Sequence, residues 1–236
     1  MAGFLLFKGR VVANQVTKGW VAPPKREAEA RHRVLLVQAH PVRRSFSSAA
    51  GDAVRRALLE AGHEVVTLSL YEEKFQPSLT ADERERYLGP TPERPTLPTY
   101  PLASRDVAKH VESLRACDAL VFVYPTWWFN VPAILKGWLD RTLLPGVAFT
   151  LDDDQGLVPG LANVKRMAVV STFGSKRHVA FLAGDNGLNM LARGILPLCH
   201  PDCTLLYHGL FDMDNSTSKT RAHFLDTISN SFKHDF

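Results

Sequence analysis

Long apolar runs are missing from this sequence of 236 residues. No run approaches the roughly 18–20 residues that a helix needs to cross a bilayer. The apolar start, Phe4 to Phe7, is short and is followed by Lys8 and Arg10. A secretory signal instead needs about 7–15 apolar residues after a positively charged start. We therefore expect neither a secretory signal nor stable insertion into a membrane.

Cysteine is also scarce. Cys117, Cys199 and Cys203 provide no disulfide framework, which favours a reducing, cytoplasmic setting. The segment Cys199-His200-Pro201-Asp202-Cys203 contains metal-ligating residue types, but a second pair of ligands is lacking. The acidic run Asp152-Asp153-Asp154 is more typical of a solvated loop than of a cation site. We therefore predict no metal site.

The positive net charge of +4 is confined to the start of the chain. Residues 1–33 contain seven of the 28 basic residues and two of the 24 acidic ones, which leaves 21 basic and 22 acidic residues in the remainder. A nucleic-acid-binding domain would carry its basic excess on a folded face. We therefore do not expect this protein to bind nucleic acid.

The chain divides into an extension and a single domain. Residues 1–32 lack a sustained hydrophobic period and contain Pro23-Pro24, so we interpret them as an N-terminal extension, with disorder as the simplest interpretation. The domain spans residues 33–236, a length typical of one large α/β unit. Within it, the segment from Glu72 to Asp106 contains six prolines. Such a long, rigid connection often covers a site or contacts a partner.

Five short apolar segments alternate with stretches of helical periodicity. The predicted strands are Val34–Val37, Val65–Leu70, Ala119–Tyr124, Met167–Val170 and Thr204–Tyr207. The predicted helices lie around residues 50–61, 107–114, 132–143, 187–196 and 225–232, with Gly62 ending the first and Asn130 capping the third. Parallel neighbours need crossover connections, so this alternation predicts an α/β fold with a doubly wound, five-stranded parallel sheet and helices on both faces. In the strand order 2-1-3-4-5, the loops after strands one, three and four form the ligand-binding edge.

The compositions of these three loops differ in how strongly they indicate a ligand site. The first, His40 to Ser48, has neither Gly-x-Gly-x-x-Gly nor the Walker pattern, but its hydroxyls, arginines and helix N-terminus are suited to an anion. The second, Pro125 to Asn130, contains three consecutive aromatic residues. One aromatic there would be core filler, whereas three favour a wall for a planar ligand. The third, Ser171 to Ser175, is explained equally well as a plain turn.

A longer motif overlaps the second loop. The block Pro125-x-x-Trp128-Phe129-x-Val131-Pro132-Ala133-Ile134-Leu135-Lys136-Gly137-Trp138 resembles the signature of the flavodoxin-like NAD(P)H:quinone oxidoreductases, a family that includes modulator-of-drug-activity proteins. His40 with Ser45-Phe46 matches the family's first loop, and the similarity extends from about Arg33 to the C-terminus. The resemblance implies a flavodoxin-like fold and a homodimeric, cytosolic flavoenzyme. Such an enzyme takes hydride from NAD(P)H and passes two electrons to quinone-like acceptors in a ping-pong sequence.

The resemblance also implies roles for individual residues. The residues on the phosphate side of the flavin are His40, Ser45, Phe46 and Ser47. The residues that line the isoalloxazine, largely through backbone N–H groups, are Pro125, Thr126, Trp127, Trp128 and Phe129. The residues at the pyrimidine edge are Ser171, Thr172 and Gly174. The residues expected to wall the substrate pocket, in part across the dimer interface, are Trp127, Phe149 and Leu151.

The sequence departs from the family at the third loop. Phe173 stands where better-known members have glycine, and the tyrosine and histidine that serve them as a relay have no clear counterparts. His178 lies nearby and is a weak catalytic candidate. We therefore assign no catalytic side chain, because the hydride chemistry belongs to the flavin.

Several alternatives remain open from the sequence. Relatives of this fold include flavin-binding ancillary subunits of potassium-efflux systems, nitro- and azo-compound reductases, and flavodoxin-type electron carriers. The sequence does not separate FMN from FAD, or NADH from NADPH.

Overall fold

The structure, a computed structural model, describes residues 31–87, 89, 103–152 and 156–236. The predicted extension, apart from its last two residues, lies outside these ranges. So do most of the prolines between Glu72 and Asp106, and Asp153 and Asp154 of the acidic run. The fold is therefore described for the domain that begins at Arg33.

Within the described residues, seven strands form two sheets. In chain order they are β1 (Arg33–Gln38), β2 (Glu64–Ser69), β3 (Ala119–Pro125), β4 (Phe149–Asp152), β5 (Gly156–Pro159), β6 (Arg166–Thr172) and β7 (Thr204–Leu210). The main sheet is parallel and has the order β2-β1-β3-β6-β7. Because β6 and β7 are the fourth and fifth predicted strands, the predicted order is confirmed. The antiparallel hairpin β4–β5 was not predicted.

In the part of the chain that the structure describes, seven α-helices connect or flank the strands. They are α1 (Phe46–Glu60), α2 (Ala81–Tyr87), α3 (Arg105–Ala116), α4 (Ala133–Thr142), α5 (Arg177–Leu182), α6 (Asn186–Met190) and α7 (Ser218–His234). The helix predicted at residues 187–196 is α6 continued by a π-helical turn, Leu191–Ile195. Helix α2 was not predicted, because it lies in the proline-rich segment. Over the described residues, no helix is both long and apolar enough to span a bilayer.

The main sheet is covered on both faces. On one face, alternate residues such as Val34 and Val121 pack with Val54 of α1 and Phe232 of α7. On the other face, Phe122 meets Trp138 of α4 edge-to-face, with ring centroids 6.2 Å apart. This two-sided burial explains why the central strands are continuous apolar runs. As predicted, Gly62 follows α1 with a positive φ of 87°.

Helix α2 is attached to the domain by a buried cation. Arg141 of α4 is only 4% exposed, and its guanidinium donates to Glu83 of α2 at 2.6 Å, to Asp106 of α3 at 2.9 Å and to the Gln76 carbonyl at 2.6 Å. The same group lies over the Phe75 ring. Burial would raise the pKa of the Glu83 carboxyl, but hydrogen bonds from Arg141 and the Thr80 N–H outweigh it and lower the pKa to about 2.

We expect Arg141→Met to lower the free energy of unfolding by about 3 kcal/mol, because it leaves the buried Glu83 carboxylate without its cation. In Lys136→Met, which breaks the exposed pair with Asp140, we expect a loss below about 0.5 kcal/mol. Urea denaturation measures both losses, and equal losses in the two variants would contradict this assignment.

The stability should also depend on pH. Because the pKa of Glu83 is depressed in the folded state, the contribution of this carboxylate to the free energy of unfolding is complete above pH 4.5 and is lost as the pH falls towards 2.

Candidate functional site

Three loops meet at the carboxyl ends of the central strands. The Thr126 N–H after β3 donates to the carbonyl of Thr172 at the end of β6, at 2.7 Å. The Ser47 and Thr172 hydroxyls lie 3.3 Å apart, and the His40 and Trp127 rings are 6.0 Å apart. Each loop therefore contacts at least one other. In parallel doubly wound sheets, this edge is where ligands bind.

The first loop leads into the N-terminus of α1. Ser45 caps the helix by accepting the Ser48 N–H at 3.1 Å, and the Ser48 hydroxyl donates to the Val42 carbonyl. His40 is anchored through Nδ1, which accepts the Val42 N–H at 3.0 Å, and burial lowers the pKa of its imidazole. The first turn of a helix carries N–H groups without helical partners, which suits an anion such as a phosphate.

Two first-loop residues are held by groups outside the loop. The Phe46 ring faces Phe224 of α7, with centroids 6.0 Å apart. Phe46 can therefore offer only its backbone to a ligand at the helix N-terminus. Arg43 was expected to add positive charge, but its Nε lies 2.8 Å from a Glu72 carboxylate oxygen. The charge of Arg43 is therefore partly compensated.

A polar cavity of about 160 Å³ lies beside the loop, bounded in part by His40 and Ser47.

The second loop is a tight aromatic turn, Trp127 to Asn130. Trp127 and Asn130 exchange backbone hydrogen bonds of 3.0 and 3.1 Å. Trp128 and Phe129 occupy the central positions with φ angles of 50° and 56°. These positions usually hold glycine or asparagine, because a Cβ in the left-handed region costs roughly 1–2 kcal/mol per residue.

The exposure of this aromatic turn rules out a core role for Trp128. Its side chain is 95% exposed, and that of Trp127 is 40% exposed. Asn130 closes the turn, and its side chain accepts the Val131 N–H at 2.8 Å. Helix α4 begins three residues later, after Pro132, so the prediction that Asn130 caps this helix was wrong. Strained backbone and exposed aromatics together point to a ligand site.

Side chains of the third loop make their contacts with other parts of the protein. The Ser171 hydroxyl donates to Tyr207 at 3.4 Å, and Phe173 stacks on Phe211 at 4.5 Å. Phe173 is thus accommodated in the core and does not fill the site. Gly174 is exposed and close to Asp214, since a Cβ at this glycine would lie 2.7 Å from a carboxylate oxygen. These residues can offer a ligand their backbone more readily than their hydroxyls.

The remaining predicted residues lie on separate elements. Phe149 and Leu151 belong to β4, where Phe149 is half-buried and Leu151 is 70% exposed. His178 is exposed on α5. Within the described ranges, no three His, Cys, Asp or Glu side chains are grouped as a metal site would require. In the cysteine pair near residue 200, the hydrogen bond with the Cys203 thiol, followed by burial, raises the pKa of Cys199.

The structure also brings together groups that the sequence did not single out. Tyr207 of β7 accepts a hydrogen bond from Ser171, and Tyr124 of β3 packs against α6, where a Cβ at Gly187 would lie 3.1 Å from its hydroxyl oxygen. Burial, followed by the charge of Asp185, raises the pKa of Tyr207. The tyrosines were hidden within strand patterns, and Asp185 follows Gly184 in what the sequence shows as an ordinary turn. No short-range signal could have linked them, because they are distant in the chain.

An aromatic wall, a helix N-terminus and backbone-rich loops at one sheet edge fit a planar, phosphate-bearing ligand such as a flavin mononucleotide group. The apolar surface suits the ring system, and the N–H groups of the first loop suit the phosphate. The donor set thus agrees with the cofactor that the sequence resemblance implies.

Comparison with known proteins supports this interpretation. A family described as having a flavodoxin-like fold matches residues 32–200. Rat NAD(P)H dehydrogenase [quinone] 1 is 31% identical over 184 residues, which are 72% of this chain and 65% of the rat protein. Ribosyldihydronicotinamide dehydrogenase [quinone] of Pongo abelii is 32% identical over 72% of this chain and 78% of its own length. The solved NAD(P)H:quinone oxidoreductase of Methanothermobacter marburgensis superposes with a TM-score of 0.67 at 25% identity, over 86% of this chain and 96% of that one.

We expect Trp128→Gly to stabilise the ligand-free protein by up to about 1 kcal/mol, since the relief of left-handed strain exceeds the entropy cost of glycine. The matched control is Phe181→Gly, which removes an exposed aromatic residue from helix α5 and is expected to destabilise by about 1 kcal/mol. Thermal unfolding of both variants measures these changes in stability. A destabilised Trp128→Gly protein would show that the turn is not strained.

Proposed function

Because the chain belongs to the family with the flavodoxin-like fold, we propose that it is a flavin-dependent NAD(P)H oxidoreductase that reduces quinone-like acceptors. The observation that carries the proposal is the strained aromatic turn at the meeting point of three loops. The similarity to rat NAD(P)H dehydrogenase [quinone] 1 and to the Pongo ribosyldihydronicotinamide dehydrogenase [quinone] supports the same activity. The aligned region spans about two thirds of the rat protein, so its substrates are proposed here by analogy.

The described residues would bind and orient the cofactor. The first turn of α1, together with His40, would hold the phosphate. The aromatic turn would present the backbone N–H groups of Trp128 and Phe129 and the apolar ring of Trp127 to the flavin. When bound, the flavin accepts a hydride from NAD(P)H and passes it to the acceptor. Backbone donors of the third loop, around Gly174, would stabilise negative charge at its pyrimidine edge.

We also propose a homodimer. Large apolar side chains are exposed on three elements: the aromatic turn, β4 and α5. The most exposed are Trp128 at 95%, Leu182 at 81%, Phe181 at 79% and Leu151 at 70%. Apolar groups exposed to this degree favour coverage by another protein surface. A second copy would bring Phe149 and Leu151 towards the acceptor site of its partner.

The purified protein is expected to bind FMN or FAD with a yellow colour and to oxidise NAD(P)H with menadione as acceptor. Heat release followed by chromatography identifies the flavin, and sedimentation reports the number of copies. A protein that stays colourless after reconstitution with both flavins would refute the proposal. Bound flavin with negligible turnover would instead favour an ancillary subunit, and a one-electron carrier would not oxidise NAD(P)H directly.

Trp127 is expected to select acceptors, because its half-exposed ring lies at the edge of the aromatic turn. We expect Trp127→Ala to keep its flavin but to change the ratio of kcat/KM between menadione and a bulkier quinone by about tenfold, the effect of altering one apolar pocket wall. Trp127→Phe is the conservative control and should change the ratio much less. If the ratio of kcat/KM between the two quinones is unchanged in the alanine variant, Trp127 does not line the acceptor pocket.

A further inference from the structure

The chain that follows β7 folds back onto the third loop. The Met213 N–H donates to the Phe173 carbonyl at 2.9 Å. The Asp212 N–H donates to the Ser175 carbonyl at 2.8 Å. These two hydrogen bonds lie on either side of Gly174. The segment after β7 is therefore fixed against the glycine of the third loop.

Gly174 leaves room for a carboxylate from this segment. A Cβ at the glycine would lie 2.7 Å from one side-chain oxygen of Asp214 and 3.6 Å from the other. The backbone does not require glycine here, because the φ of Gly174 is not positive. A side chain at residue 174 would therefore displace the Asp214 carboxylate, which belongs to a 3₁₀ turn, Met213–Asn215. The carboxylate thus lies against the exposed backbone of the third loop.

The turn that carries Asp214 is held in a strained conformation. Asp212, which precedes the turn, has a left-handed backbone with φ of 57°. Its carboxylate accepts the Asn215 side-chain N–H at 2.7 Å, and the Ser216 N–H donates to the Met213 carbonyl at 3.1 Å. Within the described part of the chain, the Asp214 carboxylate itself has no hydrogen bond or ion pair. Strain that places a free carboxylate beside a ligand-binding loop is typical of functional sites.

The two ends of the candidate site therefore differ in charge. The first turn of α1 offers unpaired N–H groups and the positive end of a helix dipole. The third loop carries the Asp214 carboxylate. Arg177 of α5 lies over the Phe211 ring, 5.9 Å from its centroid, and forms no ion pair with this carboxylate. Because screening at physiological salt becomes strong only beyond about 8 Å, a ligand group at the third loop would be exposed to negative potential.

The flavin bound as proposed above presents its pyrimidine edge to this loop. Hydride transfer converts NAD(P)H to NAD(P)⁺ and adds one negative charge to a neutral flavin. A charge near the ring is one of the means by which a protein adjusts the electronics of such a cofactor. A carboxylate at this edge opposes the added charge, whereas the backbone donors of the third loop stabilise it.

We propose that the Asp214 carboxylate lowers the reduction potential of the bound flavin and that Gly174 positions this carboxylate by leaving it room. The inference rests on the proposed function. The reduced flavin is then a stronger donor to quinone-like acceptors, because the repulsion from Asp214 is relieved when the hydride leaves. The potential of the site is set by the balance between the backbone donors and one side chain.

The direct test is the midpoint potential of the bound flavin in Asp214→Asn, which removes the charge and keeps the shape of the side chain. We expect the equilibrium constant for two-electron reduction to rise about tenfold, which corresponds to an increase of about 30 mV. Sulfite, which adds to oxidised flavin and leaves it negatively charged, should bind about tenfold more tightly. Gly174→Ala, which displaces the carboxylate without removing it, should shift both quantities in the same direction.

A matched control and the salt dependence separate a charge effect from a structural one. Asp226→Asn, at an exposed position of α7, removes the same charge elsewhere and should leave the potential unchanged. The difference in potential between Asp214→Asn and the unmodified protein should fall by at least about half between about 0.01 M and about 1 M salt, because the Debye length falls from about 30 Å to about 3 Å. A rearranged loop would not respond to salt in this way.

The possible outcomes distinguish this inference from the proposed function. An unchanged or lower potential in Asp214→Asn, or a shift that persists at high salt, would overturn the role of Asp214 while the proposed function stands. An unchanged potential in Gly174→Ala would overturn the positioning role of the glycine. An unmodified protein that binds neither FMN nor FAD would overturn the proposed function itself.

Discussion

The position of β3 between β1 and β6 is the constraint on which the site depends. All seven residues of this strand are buried, and its parallel pairing aligns its carboxyl end with those of both neighbours. The loops that follow the three strands therefore leave the sheet side by side. The Thr126–Thr172 hydrogen bond and the contact between Ser47 and Thr172 then hold the loops together. Without this register, the aromatic turn would have no helix N-terminus beside it.

The backbone conformation of the aromatic turn is maintained by the surrounding structure and not by the conformational preference of its own residues. Reciprocal hydrogen bonds between Trp127 and Asn130 close the turn, and the buried β3 and α4 fix its two ends. Packing does not offset the strain at Trp128, because this side chain is almost wholly exposed. Stability from the sheet thus supports a local conformation that is suited to binding.

Much of the fold was predictable because burial leaves a local signature. Strands covered on both faces must be continuously apolar, which located β1, β3 and β6. Helix α2 and the β4–β5 hairpin lack such a signature. The position of α2 depends on the distant Arg141, and the hairpin exposes Leu151 and Leu157 instead of burying a regular face. Asn130 was mistaken for a helix cap because a residue that favours left-handed and turn backbone suits either position.

The sequence by itself determined the sheet order, the three loops at its edge and the aromatic motif, because periodicity and short motifs are properties of neighbouring residues. Only the tertiary structure decided which side chains those loops have available. It placed the Ser171 hydroxyl on Tyr207 and Phe173 on Phe211. These contacts join β6 and β7 and the segments that follow them. Their energies depend on distance and burial in space, which the order of residues along the chain does not encode.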